Sequence, residues 1–278
     1  WMAFGCGLLF LSIALTFPYG ALQTRVIGEL QRATGMEVRA ADWTIGFPAA
    51  IEWRQMTLTK TDWAPLQLGL VRAQAGVWRL LTGGVALDLA AQLDETTATQ
   101  GTVKLSVMTS SWSMTGPVAM VGKIQKLDLS KVIRPYVTRG ILTGEFTHRL
   151  DRAATAGSAS FGEGTWKAEA KDLSLDRIPV GNGRILALAF SNLSLGLACR
   201  EQVCDVTELK GDGIDGSFSG QGTVTMQQPI QQSQLALSLT VIPGVGFAAK
   251  APGLGIPPLP TGTPFTFKVI GTLAQARV

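Results

Sequence analysis

Residues 235–241 read LALSLTV, so Leu235, Leu237, Leu239 and Val241 alternate with Ala236, Ser238 and Thr240. In an extended chain successive side chains point to opposite faces, and this stretch therefore buries leucines on one side and presents small groups on the other. The same period of two recurs along the chain. Val85, Leu87 and Leu89 alternate with Ala86, Asp88 and Ala90; Val103, Leu105 and Val107 with Lys104, Ser106 and Met108; Leu193, Leu195 and Leu197 with Ser194, Gly196 and Ala198. Between such runs stand Thr82-Gly83-Gly84, Gly116-Pro117, Gly162-Glu163-Gly164, Gly181-Asn182-Gly183 and Gly211-Asp212-Gly213, which read as turns. The pattern predicts a mainly β protein: a long antiparallel meander running as one elongated domain over residues 36–278.

Helical interruptions are few. Gly76 to Leu81 (GVWRLL) and Leu129 to Val137 (LSKVIRPYV) read as short helices, the second with Ser130 as cap and Pro135 limiting its length. The Gly/Pro-rich stretch from Ile242 to Pro264 reads as an extended loop, followed by a last strand from Phe265 to Leu273. Upstream of the sheet, Leu22, Val26, Ile27, Leu30 and Ala33 share one face of a helix that ends at Gly35, giving an amphipathic segment over residues 21–35. Before it, Met2 to Phe17 (MAFGCGLLFLSIALTF) carries no charge and is flanked by Trp1 and the Phe17-Pro18-Tyr19 cluster. Residues 1–20 are expected to be a single-pass transmembrane anchor, with interfacial aromatics at its ends; a cleaved signal peptide is the rival, but no good small-x-small site stands near Ala14 to Ala21.

Composition narrows the functional classes. Of 278 residues 46% are hydrophobic and only 16% charged, against roughly 25% in an ordinary soluble domain, and mean hydropathy is +0.24. The 24 basic and 20 acidic residues are scattered singly, so the net charge of +4 makes no basic stripe and nucleic acid is not expected as a partner. A single His, His148, limits His-dependent catalysis and metal binding. It falls in a strand-like run with Leu142, Phe146 and Leu150 on its own face, where a packed or half-buried imidazole is expected. The run Gly116 to Lys123 has the wrong glycine spacing for a phosphate loop, and Asp212 and Asp215 miss the spacing of a calcium loop. No paired carboxylates and no G-x-S-x-G elbow are present. The expectation is a protein that is not an enzyme, with no cofactor and no metal. The tryptophans crowding the first third, Trp43, Trp53, Trp63 and Trp78, are expected to fill the core or cover edges.

Cys199 and Cys204 bracket Arg200-Glu201-Gln202-Val203 between strand-like segments. Two cysteines facing each other across a short hairpin can form a disulfide. A zinc pair would need two further ligands, and none lies nearby in sequence. The disulfide in turn implies an oxidising compartment such as a periplasm.

Other stretches resemble a known family. The helix ending in Thr34-Gly35, the strands with Trp43-Thr44-Ile45 and Met56-Thr57-Leu58, and Pro65-Leu66-Gln67-Leu68 leading to Trp78-Arg79-Leu80-Leu81-Thr82-Gly83-Gly84 look like the start of AsmA-like periplasmic proteins. Within that group the chain most resembles the type II secretion system protein N family. Leu127-Asp128-Leu129-Ser130, Arg139-Gly140-Ile141-Leu142-Thr143-Gly144-Glu145, Leu209-Lys210-Gly211-Asp212-Gly213 and Gly216-Ser217-Phe218-Ser219-Gly220 extend the likeness. The resemblance implies a bacterial inner-membrane protein with the bulk of its chain in the periplasm, serving an envelope-spanning secretion machine. It also implies a curved sheet, either an AsmA-like groove or an open sandwich. Membrane lipid, other secretion subunits or copies of itself are the partners so implied, and no catalytic residue carries over. Alkylation of the freshly isolated protein without reductant is expected to leave Cys199 and Cys204 unmodified and to label both after reduction; two free thiols in the native protein would remove the argument for an oxidising compartment.

Overall fold

The computed structural model describes residues 35–46, 50–59, 65–93, 101–111, 116–150, 162–180, 184–227, 232–254, 260–272 and 275–277, together with Gly20, Thr24, Ile27, Gly28, Gln31 and Arg32. Fourteen strands form one antiparallel sheet in strict sequence order. They are β1 (Glu37–Gly46), β2 (Ala50–Thr59), β3 (Leu66–Ala75), β4 (Ala86–Gln92), β5 (Thr102–Thr109), β6 (Val118–Asp128) and β7 (Val137–Leu150). The second half comprises β8 (Glu163–Val180), β9 (Arg184–Arg200), β10 (Val203–Gly213), β11 (Gly216–Thr225), β12 (Gln234–Pro243), β13 (Phe265–Thr272) and β14 (Gln275–Arg277). The predicted meander is therefore present. No second sheet lies over it among the described residues, and the sheet is open at both edges, not folded into a sandwich.

The anchor predicted over residues 1–20 lies outside the described residues apart from Gly20. No helix among the described residues is long and apolar enough to cross a membrane. Of the amphipathic segment, Gly20, Thr24, Ile27, Gly28, Gln31 and Arg32 are helical. Ile27 packs on a cluster of Val38, Ile51, Trp53 and Met56, and the Gln31 side chain donates to the Val38 carbonyl at 3.3 Å.

Strict alternation does not hold everywhere, and the departures are informative. Trp53 and Met56 are three residues apart, which a regular strand would place on opposite faces, yet both are buried in one cluster. Between them Gln55 adopts φ 49, shifting the phase of the alternation. Ala170 and Leu173 repeat the device around Asp172 (φ 51) in a second cluster with Leu129 and Val137. Lys126 (φ 47) and Arg177 (φ 57) coincide with register shifts of β6 on β7 and of β8 on β9.

Several local expectations are corrected. Gly211 and Gly213 lie within β10, and the hairpin turn falls at Ile214-Asp215 instead. Gly211 serves a close approach: a Cβ there would overlap the Phe218 ring, which lies across it from β11. Gly164 likewise lies in β8, beneath the His148 ring, and the turn expected at Gly162 to Gly164 does not extend into it. The helix expected over Leu129 to Val137 covers only Leu129–Val132. Its cap is Asp128, whose carboxylate accepts from the Ser130 N–H at 3.0 Å, so Ser130 is the capped residue and not the cap. Within the expected loop of residues 242–264, Val245–Lys250 is helical and Ala251–Leu254 forms a 3₁₀ turn. Trp53 is buried and Trp43 packs beside it as expected, but Trp78 is 82% exposed at the start of the Val77–Leu81 helix, and Trp63 lies outside the described residues.

Gly122 repeats the arrangement at Gly211, since a Cβ there would overlap Phe146, whose ring stacks on Trp166 at 4.6 Å between centroids. Gly122→Ala and Gly211→Ala are each expected to lower the unfolding free energy by about 1–3 kcal/mol, the usual cost of overpacking. Urea titration followed by circular dichroism checks this; an unchanged midpoint would mean the rings do not rest on these glycines.

Candidate functional site

The cross-strand register shows what the two faces offer. One row runs Ile45, Ile51, Ala73, Leu89, Leu105, Gly122 and Phe146 across β1 to β7. It continues through Trp166, Leu197, Val206, Gly222, Leu237 and Val269 across β8 to β13. No charged side chain interrupts it. At ~4.8 Å per strand the row is roughly 58 Å long, and three such rows would project to about 800 Å². Apolar patches on ordinary monomers reach only a few hundred Å².

This face is not a finished core. Leu89, Leu105, Leu195, Leu197, Leu237 and Leu239 are half-buried, shielded by strand neighbours and, among the described residues, by no second layer. Full burial gathers in two clusters, one beside Ile27 and one beside the Leu129–Val132 helix, and elsewhere on this face is reached singly, at Val118, Cys199, Cys204, Val206 and Val269. Large side chains cover glycines on this face. Phe146 lies over Gly122, Phe218 lies over Gly211 and meets Phe190 edge-on at 5.4 Å, and Leu239 and Leu209 cover Gly220.

The opposite face is polar. Its parallel row reads Glu52, Arg72, Ala90, Lys104, Lys123, Glu145 and Lys167. A shallow depression of about 710 Å³ lies there, lined by Lys123, Glu145, Lys167, Glu169, Ser194 and Glu208. Charges of opposite sign alternate across its strands, so the groups satisfy one another in solvent and leave no net field for a ligand.

Cys199 and Cys204 are directly paired across the β9–β10 hairpin and form the expected disulfide, with Cα atoms 3.9 Å apart. Both are buried on the apolar face. His148 is half-buried on that face, paired with Met120 and edge-on to Trp166 at 6.2 Å. No group of three or more His, Cys, Asp or Glu side chains that could hold a metal occurs among the described residues.

One polar constellation escapes sequence reasoning. The Lys250 ammonium contacts both Asp215 carboxylate oxygens at 2.7 Å and donates to the Ala187 carbonyl at 3.0 Å. Asp215 also accepts from the Ala189 N–H at 2.6 Å, and its side chain is 1% exposed against 39% for Lys250. The group fastens the Val245–Lys250 helix to the β10–β11 turn and to β9. Thirty-five residues separate the two charges, and no local pattern signals their meeting.

No family model, no curated protein and no solved structure matches the chain. Fold and faces alone define its class: an open, single-layer antiparallel sheet with one continuous apolar face. Asp215→Ala is expected to destabilise the protein by about 2–4 kcal/mol, because it strands a partly buried ammonium and a backbone N–H together. Hydrogen exchange is expected to rise first over residues 245–254; uniform protection there would show that the pair does not fasten the helix.

Proposed function

We propose that this chain is a non-enzymatic, membrane-anchored envelope component of the kind the type II secretion system protein N family represents. Its apolar face is its working surface. The observation that carries this reading is the continuous apolar row from Ile45 to Val269, over which no second layer lies among the described residues. A sheet exposing that much apolar surface is incomplete as an isolated monomer and gains by covering it with another surface. In this reading the covering surface belongs to other secretion subunits or to further copies of the chain. Among the described residues the outer edge of β1, and that of β13 over residues 265–269, pair on one side only and offer strand addition as a second means of assembly. The disulfide supports a periplasmic location, and the uncharged segment Met2 to Phe17 supports the tether.

A second reading is favoured by the make-up of the face. Its row from Ile45 to Val269 holds only aliphatic, aromatic and glycine residues, which suits acyl chains as well as it suits a protein surface. Here the sheet curves into a trough that shields lipid between membranes, as the AsmA-like resemblance implies.

Replacing Leu105 and Leu237 together by Asp puts two charges on the face without disturbing either buried cluster. In cells carrying a type II machine, deletion of the protein or this double variant is expected to cut export of folded exoproteins about tenfold or more, tenfold being the effect of losing about 1.4 kcal/mol of contact. Undiminished export after deletion would sink the secretion reading. Gently purified protein that carries no phospholipid, but retains a subunit cross-linked at Leu105, would defeat the lipid reading.

A further inference from the structure

We infer that the apolar face is covered by a second copy of this chain, laid face to face about a two-fold axis that runs along the strands between β7 and β8. The inference names the partner of the working surface proposed above and rests on that reading.

The face extends beyond its central row. A row on one side of it begins Trp43, Trp53, Val71 and ends Leu239, Phe267. The row on the other side begins Ala75, Leu87, Val107 and ends Leu235, Gly271. Of the residues in the three rows, His148 alone is ionisable. The rows project to about 800 Å² on each copy, so two copies laid together withdraw about 1,600 Å² from water, the size of interface that holds a specific complex. Make-up agrees with size, since the interfaces of homodimers are more apolar than those of transient complexes.

The occupant is identified by what stands at the centre. The midpoint of the fourteen strands falls between β7 and β8, and there Phe146 and Trp166 are directly paired and stacked at 4.6 Å between centroids. Trp166 is 41% exposed, and between β2 and β13 no large apolar side chain of the three rows is more exposed. An accessible tryptophan at the centre of an apolar patch is the usual make-up of an interface hot spot. A two-fold axis at this midpoint brings the ring pair of one copy onto the ring pair of the other. Side chains beside such an axis meet their own copies, so a charge there would face its like. Strands β6 to β9 place no Asp, Glu, Lys or Arg in the three rows. A different protein would be oriented by complementary charge, which this face lacks. Acyl chains respond to apolar area wherever it lies and have no use for a central ring pair.

The test uses the full chain in intact cells, expressed as two differently tagged copies with the photo-reactive p-benzoylphenylalanine in place of Leu105. Irradiation is expected to join the two tags, and the same probe in place of Val121, on the opposite face, is expected not to. Trp166→Asp is expected to cut the two-tag product at least about tenfold. Trp166→Phe is expected to keep most of it, and unchanged circular dichroism of the purified Asp variant separates lost pairing from lost folding. A probe at Leu105 that joins the chain to a secretion subunit and never to a second copy would overturn the inference and leave the proposed function standing. Cross-linking to phospholipid alone would overturn it in favour of the lipid trough. A two-tag product indifferent to Trp166→Asp would overturn the central axis. Loss of the product with Trp166→Asp, alongside undiminished export after deletion, would support the pairing and sink the secretion reading.

Discussion

The structure depends on keeping one alternation in phase across strand after strand. With a side-chain period of two, a one-residue slip in any strand would carry its leucines to the charged face and break the row from Ile45 to Val269. In a layered protein a covering element could absorb such an error. Here no second layer exists among the described residues, so register and phase carry the whole separation of apolar from polar surface.

Where the chain bends from regular geometry, it does so in a way that preserves this separation. Gln55 and Asp172 take left-handed conformations that cost roughly 1 kcal/mol or more each. They return Met56 and Leu173 to the buried side, where each side chain regains comparable or larger stabilisation from burial. The glycines act on the same problem from below. With Gly122 under Phe146 and Gly211 under Phe218, each ring occupies space that a side chain on the neighbouring strand would otherwise fill.

The helical pieces close ends and leave the face open. Ile27 packs on the buried cluster of β1 and β2, the Leu129–Val132 helix packs on β7, and the Val245–Lys250 helix is held by Asp215. Between these closures the middle of the apolar face has only its strand neighbours among the described residues. A scaffold subunit and a lipid-holding trough would both use that same uncovered middle, which is why the choice between them turns on what is bound there and not on the fold.

Much of the architecture was legible in the sequence because strand alternation is a local property: LALSLTV states its two faces without reference to any other residue. The Cys199–Cys204 pairing was legible too, since a hairpin with a two-residue turn brings its flanking residues together. What the sequence left open was whatever depends on a neighbour distant along the chain. Gly211 reads as a turn until Phe218 is seen lying over it, residues 245–254 read as a loop until Lys250 finds Asp215, and Trp78 reads as core until no element covers it. The sequence by itself determined two-faced strands and their order. Only the tertiary structure decided that the strands stay in one open layer, because closure depends on the balance of twist, register and end contacts summed over fourteen strands, and no single window of residues contains that sum.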